Sequence, residues 1–455
     1  MKKKTYLLAA LLILLGCTLI PSCTEFDAEG DWVELDNPND GQPTDSTAVY
    51  MLPTPQYIAL TAQQQDFAQD NNAFTLRFLK AVNDVDSSGK SFIYSPLSIT
   101  YVLSMVNAVA EGQTSQEIEQ TLGFMLGYKE AELDDVNAYC QMLIEELPQT
   151  DPNVQLSMAN AIFVNNDYTL KPKFQQDMQT YYHALAESLD FSSPATLGHI
   201  NGWCNEQTRG MIPTILEKVN PDAMSYLLNA VYFKAGWTSK FDPQNTNTET
   251  FTCEDGSTRQ VPLMHQTVVA AYFKADEYSA LRFCYGSGLW NMTIMLPGEG
   301  KTTADIINRL ASLGWLEGRP HSSAYMDTPI FEGYEVDLKL PRFGTKSDTD
   351  DLKGKLPDVL RSMGIRQVFD PDLARVPNLC ERANLYIGLM RQKAAIEVNE
   401  EGAKASAVTI GGMVETSVGP EDYQKVDFHA NRPFVYAIQE ASTGVILFVG
   451  KYTGE

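Results

Sequence analysis

The chain has 455 residues, 44% of them hydrophobic and 10% aromatic, enough apolar material for one large domain with appendages or for two domains. Its 34 Lys and Arg are outnumbered by 58 Asp and Glu, for a net charge of −24. That balance argues against a nucleic-acid partner, whose phosphates need basic side chains, and leaves no basic groove for an anionic polysaccharide.

The first residues, "MKKKTYLLAALLILLGCTLIPSC", place three lysines before an apolar run and small residues before a cysteine. This is the pattern of a secretory signal over residues 1–22, too short and wrongly flanked for a membrane span. A cysteine directly after the run resembles a bacterial lipobox, with Cys23 as the lipidated residue and Cys17 as the alternative. The expectation is an exported protein, lipid-anchored at a bacterial cell envelope or otherwise secreted. Residues 23–60, rich in Asp, Pro, Asn and Gly, read as an acidic tether. Mixed helix and strand signals then continue without a second linker or an internal repeat, so 61–455 reads as one α+β domain.

Along that domain, "NNAFTLRFLKAV" puts Phe74, Phe78, Leu79 and Val82 on one helical face. A second helix is expected from Ser95-Pro96 to Gly112, and a third, started by Thr114-Ser115 and ended by Gly123, follows it. The segments "VQLSMANAIFVNN", "SYLLNAVYFKAGW", "LWNMTIMLPGEG", "YEVDLKLPRFG" and "LYIGLMRQKAAIEVNEEG" read as strands. "RPFVYAIQEASTGVILFVGKY" reads as a hairpin turning at "EASTG".

Chemistry is sparse. His183, His199, His265, His321 and His429 are scattered, with no HExxH and no pair at ligand spacing, so no metal site is expected. There is no GxSxG, and "NDVDSSGKS" lacks the first glycine of a phosphate loop. Cys140, Cys204, Cys253, Cys284 and Cys380 are odd in number and contain no CxxC, which fits buried apolar roles better than a disulfide framework. No catalytic residue and no cofactor is expected. One stretch is left over: "EEGAKASAVTIGGMVETSVGPEDY", Glu400 to Tyr423, is strand-capable and small-residued, with no proline before Pro420.

From about Phe67 to its end the chain resembles the serpins. The resemblance rests on "FIYSPLSITYVLSMVNAVAEGQTSQEIEQTLGF", "INGWCNEQTRGMI", "LLNAVYFKAGWTSKFDPQNTNTETF", "IMLPGEG", "LKLPRFGTKSDTDDLKGKLPDVLRSMGI" and the final hairpin segment. It implies a serpin fold of helices around three β-sheets with an exposed reactive-centre loop, here about 400–427. It also implies a suicide inhibitor of serine, and potentially cysteine, endopeptidases. A protease attacks the loop, and the cut loop inserts as a new strand that traps the acyl-enzyme. The alternative within the family is a non-inhibitory binding protein or protease substrate. A monomer is expected.

By the same resemblance, Glu400, Glu401, Gly402, Ala403, Ala405, Ser406, Ala407 and Thr409 form the hinge, with Ala403 where the family has Thr or Ser. Alternate side chains of an inserted strand face inward. Counting from Ala403, these are Ala405, Ala407, Thr409, Gly411 and Met413, all small or apolar. An added strand of about 15 residues, at about 0.5–1.5 kcal/mol per hydrogen bond, releases on the order of 7–20 kcal/mol. Hinge counting places the scissile bond between Thr416 and Ser417, with Glu415, Val414 and Met413 as alternatives because the loop is longer than in many relatives. With no Lys or Arg between Lys404 and Lys425, elastase- or subtilisin-like targets are favoured over trypsin-like ones. Ser95, Ser98 and Asn229 match the family's shutter, Trp237 its tryptophan at the top of the sheet, and Gln392 stands where the family usually has histidine.

Overall fold

The structure is a computed structural model that describes residues 54–86, 88–124, 133–313, 331–352, 355–380, 386–403 and 423–455. The signal segment, most of the tether, and residues 404–422 of the loop lie outside the described residues.

The N-terminal half is helix-rich. It runs α1 (Ala62–Val85), β1 (Phe92–Tyr94), α2 (Pro96–Asn107), α3 (Gln113–Leu122), α4 (Leu133–Glu146), β2 (Val154–Asn165), α5 (Pro172–Tyr182), β3 (Leu185–Leu189) and α6 (Pro194–Gln207). Strands then dominate: β4 (Ser225–Gly236), β5 (Asn247–Thr252), β6 (Thr258–Lys274), β7 (Tyr278–Tyr285) and β8 (Trp290–Pro297). After α7 (Thr303–Leu313) come β9 (Glu332–Pro341), β10 (Phe343–Asp348), α8 (Lys355–Met363), β11 (Leu389–Asn399) and the two-residue β12 (Gly402–Ala403). The chain closes with β13 (Gln424–His429), β14 (Phe434–Glu440) and β15 (Ile446–Tyr452).

Helix α1 opens with a capping box between Thr61 and Gln64 and buries Phe67, Phe74, Phe78, Leu79 and Val82, the apolar face its periodicity predicts. Two boundaries differ from expectation. Helix α2 ends at Asn107 rather than Gly112, and Gly112, with φ of 61°, is the residue that caps α3. Thr114 does not cap α3; its hydroxyl accepts from the Arg375 amide instead, drawn away by a tertiary partner. Residues 54–60, assigned by sequence to the tether, dock on the domain. The Gln56 amide donates to the Thr150 carbonyl at 2.7 Å, and Ile58, whose amide donates to Ser442 Oγ, is buried.

The strands form two hydrogen-bonded ladders. A nine-stranded sheet runs β1-β15-β14-β8-β7-β6-β9-β13, with β5 also on β6. Two of the three sheets implied by the resemblance are continuous here because the long β6 serves both, pairing with β5 along Thr258–Leu263, with β9 along Leu263–Tyr272 and with β7 along Ala271–Lys274. The second sheet has six strands in the order β10-β11-β12-β4-β2-β3. On one side of it lies the main core, including Met390, Ala394, Ile396, Val398, Val231, Phe233 and Ala235. On the other side α6 packs Ile200 and Cys204 with Phe163, Ala230, Tyr232 and Ala395.

Candidate functional site: a split sheet and its clasps

The six-stranded sheet is not closed along its length. Strands β11 and β4 pair in parallel over five rungs, from Leu389 opposite Tyr226 to Lys393 opposite Ala230. Beyond Lys393 they separate. At the far end of the split, Gly402 and Ala403 lie between them, pairing antiparallel with Asn399 and Val398 of β11 and with Gly236 and Ala235 of β4. Between these two closures, residues 394–397 of β11 and 231–234 of β4 have no strand between them among the described residues.

The outer edges of the split are braced. Strand β10 pairs with β11 over six rungs, and Arg391 holds Asp348 through two nitrogens, with Lys393 Nζ 3.2 Å from the same carboxylate. Burial opposes charging of Asp348, and these cations outweigh it, keeping its carboxyl below the usual range. Strand β4 is likewise zipped to β2 over eleven rungs, Val154 to Val164. The sheet therefore parts between β11 and β4 rather than beside them.

The mouth of the split is held by Trp237 and Glu400. Trp237 lies flat on Tyr285, with ring centroids 4.1 Å apart, and donates its indole N–H to the Asn399 carbonyl at 2.9 Å and its amide to the Glu401 carbonyl at 2.8 Å. Glu400 receives two guanidinium nitrogens from Arg342 and the Thr246 hydroxyl at 2.6 Å. Burial raises the Glu400 carboxyl, and these donors more than offset it, so its pKa is lowered. Glu401 reaches Lys240 at 2.7 Å. Gly402 is there for steric reasons. Its φ is 136°, and a Cβ would lie 2.2 Å from the Ala235 carbonyl oxygen.

The closed end of the split has a polar lock. Gln392 accepts from the Ser95 amide at 2.9 Å and donates to the Ser95 carbonyl at 2.9 Å and to Asn229 Oδ1 at 3.2 Å. Asn229 donates to Asn160 Oδ1 at 2.8 Å, and Ser95 Oγ to Ser98 Oγ at 3.1 Å. The Gln392 amide donates to the Thr349 hydroxyl oxygen at 3.0 Å, and the Thr349 amide donates back to the Gln392 carbonyl at 3.0 Å. All of Ser95, Ser98, Asn160, Asn229, Thr349 and Gln392 are at most 2% exposed, so every one of these bonds is shielded from competing water.

Comparison with known proteins decides the family. Residues 69–454 match Serpin (serine protease inhibitor). The chain belongs to the serpin family. It is similar to an uncharacterized serpin-like protein of Thermococcus kodakarensis, 31% identical over 422 residues, 91% of this chain and 92% of the relative. Among solved structures it is similar to the thermophilic serpin tengpin in the native state, with a TM-score of 0.72 and 26% identity over 89% of this chain and 97% of that one. It is also similar to thyroxine-binding globulin in complex with thyroxine, with a TM-score of 0.69 and 25% identity over 85% of this chain and 98% of the other. The serpin fold expected from sequence is present.

The serpin structure brings Ser95, Ser98, Asn229 and Gln392 into one cluster and puts Trp237, Glu400, Glu401, Gly402 and Ala403 at the mouth of the split. The hinge residues Ala405, Ser406, Ala407 and Thr409 lie outside the described residues. So do the scissile-bond candidates Met413, Val414, Glu415, Thr416 and Ser417 and the lipidation candidates Cys17 and Cys23. Sequence reading missed Asn160 and Thr349 in the lock and Arg342 and Thr246 at the mouth, because each is an ordinary polar residue until the fold brings it to its partner. It also read the histidines as scattered, whereas His265 and His429 both meet the carboxylate of Asp337.

Proposed function

We propose that this serpin is a suicide inhibitor of serine endopeptidases, cut within residues 404–422 and trapping the acyl-enzyme by running the cut loop into the split between β11 and β4. The observation that carries this reading is the register of Ala403, which pairs with both walls of the split. Continued in that register, the strand sets residues 404–407 against the open stretch, and residue 408 is the first to require separation of the Lys393–Ala230 rung. Thr409 would then arrive beside Gln392 and Asn229, offering a hydroxyl where those amides part. In that inserted register Ala405, Ala407, Thr409, Gly411 and Met413 would share the face of Val398 and Ala235, which belong to the main core. Lys404 would fall on the other face, beside the exposed Glu397.

The scissile bond is assigned to Thr416–Ser417, with Glu415, Val414 and Met413 as the neighbouring choices, and an elastase- or subtilisin-like protease as the target. Incubating the full chain with elastase-, chymotrypsin-, subtilisin-, trypsin- and papain-like proteases, followed by denaturing gels and mass spectrometry, tests this. A denaturation-resistant band at the summed mass and a C-terminal fragment starting at Ser417 are expected. Cleavage without a complex for any of them would favour a serpin-fold binding protein instead, a reading supported by the likeness to thyroxine-binding globulin.

The N-terminal pattern supports export and lipid anchoring through Cys23, with Cys17 as the alternative, at a bacterial envelope. Cys23→Ala should move the protein from the membrane to the soluble fraction. Retention at the membrane would transfer the assignment to Cys17.

A further inference from the structure

Beside the loop's far anchor, three strands of the nine-stranded sheet present one polar face. Strand β13 pairs in parallel with β9, placing Asp427 opposite Asp337 and His429 opposite Lys339. Strand β6 pairs antiparallel on the other side of β9, placing His265 opposite the same Lys339. All four of His265, Asp337, Asp427 and His429 therefore point to one side, away from the buried Val336 and Leu338.

Two carboxylates directly opposed on neighbouring strands repel one another, the more so in a chain of net charge −24. The nearby lysines do not relieve the repulsion. Lys339 Nζ is 2.8 Å from both carboxylate oxygens of Glu249, and Lys425 pairs with Glu335 at 2.8 Å. Among the described residues the Asp427 side chain has neither a hydrogen bond nor an ion pair of its own. Yet one ligand atom from each of Asp337, Asp427 and His429 lies within 4.8 Å of the others.

The spacing has a further property. His429 Nε2 is 3.4 Å from Asp337 Oδ2, long for a hydrogen bond between these groups. Two ligand atoms bound tetrahedrally at about 2.0–2.1 Å from one ion are about 3.3–3.4 Å apart, by simple trigonometry on zinc bond lengths. Asp337 Oδ1 is already engaged by His265 Nε2, which leaves Oδ2 turned toward His429 and Asp427. A ligating carboxylate held through its second oxygen by a neighbouring side chain is how metal sites fix their geometry.

We propose that Asp337, Asp427 and His429 form a site for a divalent transition metal of the zinc class, with His265 positioning Asp337 and water filling the fourth place. The mixed imidazole and carboxylate donors select against Mg²⁺ and Ca²⁺, which take oxygen ligands. The ion would join β13 to β9 through side chains as well as backbone, and so brace the strand into which residues 404–422 lead. This inference does not depend on protease inhibition.

The test is calorimetric titration of the chelator-stripped full chain with Zn²⁺ in excess Mg²⁺, alongside amide hydrogen exchange of residues 424–429. One tight equivalent is expected. Asp427→Asn and His429→Gln should each weaken it at least tenfold, and His265→Gln about tenfold with the stoichiometry kept. His183→Gln and His199→Gln, which alter exposed histidine–carboxylate pairs elsewhere, should change nothing. Zn²⁺ should slow exchange in residues 424–429 of the parent and not of Asp427→Asn, a variant of an exposed side chain whose metal-free melting should equal or slightly exceed the parent's, since it relieves the repulsion with Asp337. Absence of a saturable site, binding insensitive to Asp427→Asn and His429→Gln, or equal binding of Mg²⁺ would each overturn the proposal.

Discussion

Val398 and Ala235 would be partners if β11 and β4 kept their register past Lys393 and Ala230, but Ala403 stands between them and pairs with both. The sheet is thus already split, and a strand one dipeptide long has already begun to fill it. The first consequence concerns that dipeptide's own neighbour. Position 403 lies opposite two core-facing residues, so Ala403→Arg would carry a guanidinium into an apolar interior. The variant is expected to be cleaved by the target protease with at least a tenfold loss of covalent complex, read as the band ratio on a denaturing gel. Complex formation at the parent's level would rule out insertion in this register.

Gly402 tolerates no side chain. At φ of 136°, with the Ala235 carbonyl 2.2 Å from an added Cβ, Gly402→Ala must push the hinge out from between the strands. A cost of about 1–3 kcal/mol in urea unfolding is expected. The Trp237 emission should change with it, because its amide and indole bonds go to Glu401 and Asn399. An unaltered Trp237 signal would mean that the hinge stays in place despite the clash.

The mouth should also weaken in acid. The Glu400 carboxyl is held below the ordinary value of about 4.3, so the folded state favours its charged form. Its contribution to stability is complete above that value and is lost as pH falls through the lowered folded value. Monitored by Trp237 emission, the hinge is expected to loosen below about pH 4 in the parent, and Glu400→Gln should abolish this pH dependence. A transition that survives in Glu400→Gln would locate the titrating group elsewhere.

Gln392 links the first turn of α2 to β4. Replacing it by leucine orphans the Ser95 amide and Asn229 Oδ1, both buried, at about 1–3 kcal/mol for each group left unpaired. Thermal unfolding should register the loss. Hydrogen exchange at residues 226–230 should accelerate more than at residues 154–164, because the Gln392 side chain bonds directly to Asn229 of β4 and reaches β2 only through the Asn229–Asn160 bond. Equal acceleration in both segments would indicate general destabilisation.

Much of this architecture was legible in the sequence. Strands β2, β4, β8, β9 and β11 and the β14–β15 hairpin are apolar runs bounded by turn residues, and α1 announces itself through Phe74, Phe78 and Val82. Trp237, residues Glu400 to Ala403 at the start of the expected hinge and four members of the lock were singled out through motifs, and they lie together around the split. Strand β6 was not, because Pro262 and its mixed surface break the alternation that marks a strand. The docking of Ile58 was hidden for a related reason, since the four residues Tyr57 to Leu60, shortly after Pro53 and Pro55, are too short a run to carry a periodicity. Asn160, Thr349 and the meeting of His265, Asp337 and His429 escaped because each depends on strand register between distant segments, which residue spacing does not encode.

The two residues of β12 alter the kinetics expected of the whole rearrangement. A cooperative ladder is slow to nucleate and quick to grow, because the first contacts fix many torsions for few bonds. Here the nucleus is part of the resting molecule, with its register chosen and its start fixed by the steric demands at Gly402. A one-residue slip would turn Lys404 toward the core, so the alternatives are closed off from the first step. On the proposed insertion, what would remain is propagation, its speed set by opening the five rungs between Lys393 and Leu389.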